Sequence, residues 1–153
     1  MTPRIEFKFN SPNESPGYLL AHLTMLWQRR QKKVLDPLNL THTQFMLLAA
    51  LGWLSRESNH VTQVDIANQG NADRMMVSKV LRTLEEKNFI NRREHQTDTR
   101  AKVISLTDEG ADILQKALTA IENADIDFFS ILGNNLSAFN NSLIKLTEQN
   151  RDE

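Results

Sequence analysis

The sequence predicts a mainly α-helical chain carrying one small β-hairpin. Three observations lead there. Apolar residues recur at helical spacing through most of the chain; the period changes to short β-compatible runs just beyond Lys87-Asn88; and Pro, Gly and capping residues fall where helices should begin or end. With 153 residues, 40% hydrophobic and 24% charged, the composition is that of one globular unit, or of one unit completed by a partner chain.

The first residues alternate Ile5, Phe7 and Phe9 with Arg4, Glu6 and Lys8, which suits a short edge strand or a docked arm over 1–14. Ser15-Pro16 reads as an N-cap followed by Pro at the first helical position. Leu19, Leu20, Leu23, Leu26, Trp27 and Val34 then keep helical spacing until Asp36-Pro37 stops the helix. Thr41 to Gln44 fits a capping box, opening a second helix whose buried set is Phe45, Leu47, Leu48, Leu51 and Leu54 and whose end Gly52 weakens. Thr62 starts a segment of two turns ending at Gln69, with Gly70 expected as its left-handed cap. After the turn 70–72 a further helix runs from Asp73 to about Lys87. Short helix, tight turn and longer helix make a helix-turn-helix.

The hairpin runs are 89–93 and 101–106, flanking the polar loop from Glu94 to Arg100. Thr107 caps a long helix through Ile113, Leu114, Ala117, Leu118, Ile121, Phe128 and Phe129, and Gly133-Asn134-Asn135 separates it from a last helix bearing Leu136, Phe139, Leu143, Ile144 and Leu146. These two helices are apolar yet have little nearby chain to cover them, so a partner is expected on them.

Composition narrows the chemistry. No apolar run approaches the roughly 18 residues of a membrane span, and the N-terminal residues have no signal-peptide core, so the cytoplasm is the expected compartment. Zero cysteine excludes disulfides, thiolate metal sites and thiol nucleophiles. Net charge is +3 over residues 1–60, +2 over 61–107 and −6 over 108–153, so a polyanion is expected to meet the earlier part of the chain. His22, His42, His60 and His95 make no i, i+4 pair, and neither a metal nor any other cofactor is expected. Glu94, His95 and Asp98 share a hairpin loop without a pocket or nucleophile, and the chain has no Gly-rich phosphate loop or nucleophile elbow, so an enzyme is disfavoured.

The helix from Asp73 carries the most chemistry. With Val77 as origin and about 100° per residue, Val80, Leu81 and Leu84 gather on one side as a buried stripe. Met75, Ser78, Lys79 and Arg82 face the other way, with Arg74 at the flank. Two cations, a small hydroxyl and a flexible apolar side chain are suited to phosphates or guanine, to either base type, and to a thymine methyl. A basic surface helix is common; one that follows a tight helix-turn and precedes a hairpin points to nucleic acid.

The residues from Asp73 to Arg93, then Asp98-Thr99-Arg100 and Ser105 to Gly110, resemble the winged helix-turn-helix core of MarR-type transcriptional regulators, and Leu40 to Leu48 is similar to the start of that family's second helix. The resemblance spans about residues 16–150. One departure is Asn88, where the family usually has Gly; Asn also tolerates a left-handed backbone, so the turn is expected to survive.

The resemblance implies a winged helix-turn-helix over 41–107 within a single unit 15–153, with dimerisation helices at 15–36 and 108–150 and a homodimer as the active form. It implies a sequence-specific regulator of transcription, a ligand-responsive repressor binding double-stranded DNA, with the fourth helix in a major groove and the wing in the adjacent minor groove. Arg100 at the wing tip would enter the minor groove, Asp98 would brace the wing, and Arg92 and Arg93 would address phosphates. Leu19, Leu23, Ile113, Leu118, Ile121, Phe128, Phe129, Phe139 and Leu143 would form the dimer interface. The family offers no invariant ligand set to carry over. Tyr18, His22 and Trp27 suit either the wall of a cleft for a small-molecule effector or packing within the core and dimer. The alternative is a winged-helix protein-interaction module without DNA binding, which would tolerate acid on the outward face of the fourth helix.

Overall fold

The computed structural model describes residues 1–94, 97 and 102–151. Six α-helices and one hairpin are described: α1 (Pro16–Leu35), α2 (His42–Leu54), α3 (Gln63–Gln69), α4 (Arg74–Glu86), β1 (Ile90–Glu94), β2 (Lys102–Leu106), α5 (Asp108–Phe129) and α6 (Leu136–Gln149). Helices α1 to α5 each begin where a side chain caps them, whereas α6 has no side-chain cap. The Ser15 hydroxyl accepts from the Tyr18 N–H, and Thr41 with Gln44 and Thr62 with Asp65 close reciprocal capping boxes on α2 and α3. The Thr107 hydroxyl accepts from the Gly110 N–H at the start of α5.

One core joins these elements. Leu35, Leu48, Leu51, Ile66, Val77, Leu81 and Leu84 are fully buried, with Ile90 and Ile104 from the hairpin sealing one end. β1 and β2 pair antiparallel from Ile90 opposite Leu106 to Glu94 opposite Lys102. The Ile104 N–H donates to the Val61 carbonyl at 2.8 Å, and Thr62 bridges Val103, so the stretch leading into α3 adds a short third rung to the hairpin.

Three expectations change. The segment 1–9 is neither a strand nor docked on its own chain: Ile5 is 68% exposed and Phe7 82%. Gly70 has an ordinary right-handed backbone, and the left-handed residue of the helix-turn is Asn71, at φ 50°. The first two-thirds of α5 is covered by its own chain: Ile121 is 6% exposed, and Ile113 and Leu118 pack against the core, since α5 lies across both α1 and α2. Asn88 behaves as expected, sitting at φ 63°.

Candidate nucleic-acid interface

Helix α4 is held by its own sequence in the orientation its periodicity predicts. The Asp73 carboxylate accepts the Met75 N–H at 2.8 Å, capping the helix, and Val77, Leu81 and Leu84 fix its inner face. The outer face is open: Met75 is 83% exposed, Arg74, Lys79 and Arg82 are exposed, and Ser78 is half-buried between them. Among the described residues no carboxylate lies within ion-pair distance of Arg74, Lys79 or Arg82. From Arg74 to Arg82 this face carries unspent cations and no acid, Glu86 following only in the last turn, which is the composition required to meet phosphates and base edges.

Arg92 and Arg93, expected together on phosphates, are separated by the structure. Arg93 is exposed, whereas Arg92 turns inward and its Nε donates to Glu85 at 3.3 Å, with only 21% of its side chain accessible. Arg92 therefore ties β1 to α4. Asp98, Arg100 and His95 lie outside the described residues.

The base of the hairpin is built around one carbonyl. Phe89 accepts the Thr107 N–H at 3.0 Å, while the Thr107 hydroxyl donates to the Asn88 carbonyl at 2.7 Å and accepts the Gly110 N–H at 2.9 Å. A side chain at Gly110 would place its Cβ 1.8 Å from the Phe89 oxygen, so glycine is required by close approach of the two backbones. This explains the Leu-Thr-Asp-Glu-Gly run as a clasp between hairpin and α5.

Trp27, one of the residues that suited a cleft wall, belongs to a polar joint between α1, α2 and α5. Its indole N–H and the Gln31 amide both donate to one Asp125 oxygen, at 2.9 and 2.8 Å, and its ring meets the His42 ring edge-on with centroids 5.4 Å apart. Burial holds His42 below its ordinary pKa, an effect that the Asp125 charge partly opposes. Tyr18 and His22 stay exposed on α1, in edge contact with each other.

A cleft of about 550 Å³ opens between α2 and α5, with Met46, Ala49, Trp53, Leu114 and Leu118 among its apolar walls and Arg56 at its side, stacked 4.6 Å from the Trp53 ring. Sequence reasoning left any effector site open, offering Tyr18, His22 and Trp27 either as cleft walls or as packing, and did not find this cleft. The available signal was that α2 is apolar nearly all round, leaving a second face after the core is served.

A capped three-residue helix-turn, a basic second helix and a braced hairpin define a winged helix-turn-helix. Comparison with known proteins agrees. The model of the MarR family matches residues 40–102. The uncharacterized HTH-type transcriptional regulator YdcH of Bacillus subtilis (strain 168) is 42% identical over 123 residues, covering 80% of this chain and 84% of that one. The transcriptional repressor CouR bound to a 23-mer DNA duplex superimposes with a TM-score of 0.81 at 24% identity, covering 93% and 99% of the two chains. The S. aureus MepR–DNA complex gives 0.80 at 24% identity, covering 88% and 98%. The chain belongs to the MarR family of transcriptional regulators. Among the described residues no helix is long and apolar enough to cross a membrane.

Proposed function

We propose that the chain is a ligand-responsive repressor that binds a pseudopalindromic stretch of double-stranded DNA as a homodimer, with one α4 in each of two successive major grooves. The observation that carries this reading is the outward face of α4 from Arg74 to Arg82, which bears no acid ahead of Glu86 in the last turn and where Arg74, Met75, Ser78, Lys79 and Arg82 stand clear of any described carboxylate partner. Arg93 joins them at the hairpin, and Arg100 and Asp98 keep the minor-groove and bracing roles that the family resemblance gives them. The dimer is supported by α6, which buries no residue against its own chain, and by Leu19 and Leu23 of α1, which are 44% and 36% exposed. The cleft between α2 and α5 suits a small, largely apolar effector. On this reading the protein acts in the cytoplasm and catalyses nothing.

The test is selection of bound fragments from the source genome at a stated salt concentration. Two-fold related sites with half-sites about 10 bp apart are expected. A folded dimer that enriches no sequence would overturn the reading in favour of the protein-interaction module.

A further inference from the structure

Lys87 closes α4 and is half-buried, yet among the described residues no carboxylate pairs with it. Its ammonium instead donates to two neutral oxygens from a distant part of the chain, the Asn39 carbonyl at 2.7 Å and the Gln44 side-chain oxygen at 3.3 Å. Both acceptors belong to the corner between α1 and α2. Asn39 is held left-handed at φ 54°, and the Gln44 oxygen also accepts the Thr41 N–H at 3.1 Å, so the corner itself is rigidly built. A cation placed at a helix C-terminus is favoured by the helix dipole, but that alone does not call for these two directional contacts.

We propose that Lys87 is a positioning residue for DNA reading: it clamps the trailing end of α4 to the corner between α1 and α2 and thereby sets the angle at which Met75, Ser78, Lys79 and Arg82 meet the bases. The proposal rests on the reading of α4 as the recognition helix. The inner face of α4 is aliphatic, and contacts among Val and Leu methyl groups resist separation better than they resist a small roll. Rolling a helix about 5–6 Å in radius by about 20° displaces its outer side chains by roughly 2 Å, more than the tolerance of a hydrogen bond to a base edge. Two polar ties oppose that roll. Glu85 is held by Arg92 of the hairpin and Lys87 by the corner, and residues two apart on a helix project about 200° apart around its axis. The ties therefore pull from opposite sides.

Lys87→Met keeps the aliphatic stem and removes the donor. Operator and non-operator dissociation constants are measured for wild type and variant across a salt series, with circular dichroism reporting the fold. The expected result is a loss of about tenfold in operator affinity, comparable to one mismatched base pair, with non-operator binding and the salt slope unchanged. Unchanged operator affinity overturns the proposal. So does a salt slope that falls by about one per subunit together with loss of non-operator binding, because that is the signature of a phosphate contact. If Lys87→Met does not fold, Lys87→Gln, which retains a neutral donor one bond too short to span both oxygens, is held to the same criteria. A wild-type protein without operator preference would instead defeat the proposed function, an outcome distinct from a selective wild type matched by an equally selective variant.

Discussion

Gly110 tolerates the least change, because the group a side chain would strike is a backbone carbonyl already committed to Thr107. Gly110→Ala should cost about 2–3 kcal/mol, in the range of overpacking a rigid site, and should lower the thermal midpoint; an unaltered melt would show that the clasp opens freely. His42 is the residue whose charge matters to the α1–α2–α5 joint. Its folded pKa lies below the ordinary 6.5, so the unfolded chain binds the proton more readily. Its contribution is complete above pH 6.5 and is lost as pH falls through the folded value. Melts from pH 7.5 to 5.5 should therefore decline for wild type and be flatter for His42→Gln. At this scale the sequence is legible where chemistry is local. Asn88 was readable as left-handed because its side chain permits that backbone, whereas Gly70 misled because Asn71 takes the left-handed position in its place. Arg92 could not be placed, since its partner Glu85 is reached only once hairpin and helix have packed.

Among the elements, α4 separates into two faces with opposite sensitivities. Leu81→Ala, at a fully buried position, should destabilise the fold by about 2–5 kcal/mol. Lys79→Ala and Arg82→Ala should leave the melt unchanged while each lowers operator affinity and the salt slope by about one per subunit where a phosphate contact is lost. Variants on the outer face that alter stability instead would show that this face is structural. Helix starts were legible because Ser15, Thr41, Thr62 and Thr107 cap within three residues of themselves. The cleft beside α2 was not, because it exists only where α5 crosses that helix.

For the whole molecule, the decisive fact is that α6 has no buried residue, while the tilted ring pair of Phe129 and Phe139, with centroids 5.8 Å apart, draws it only partly onto α5. Light scattering should give twice the chain mass at micromolar concentration, and Leu143→Lys should shift the protein toward monomer and weaken operator binding in parallel. A wild-type monomer under those conditions would remove the geometric basis for a two-fold operator. Periodicity identified α6 as uncovered but overstated the exposure of α5, because whether an apolar stripe meets its own chain is a long-range property. The direction in which α6 leaves α5 is set by Gly133, at φ 52° and ψ −125°, where nothing lies within 4 Å of an added Cβ. The mirror image of those angles is an ordinary extended conformation for an L-residue. Chirality, and not room, is therefore what excludes other residues there, so a chemically synthesised chain with D-alanine at 133 should gain about 0.4–1 kcal/mol through a stiffer unfolded state, while L-alanine at the same position should lose stability.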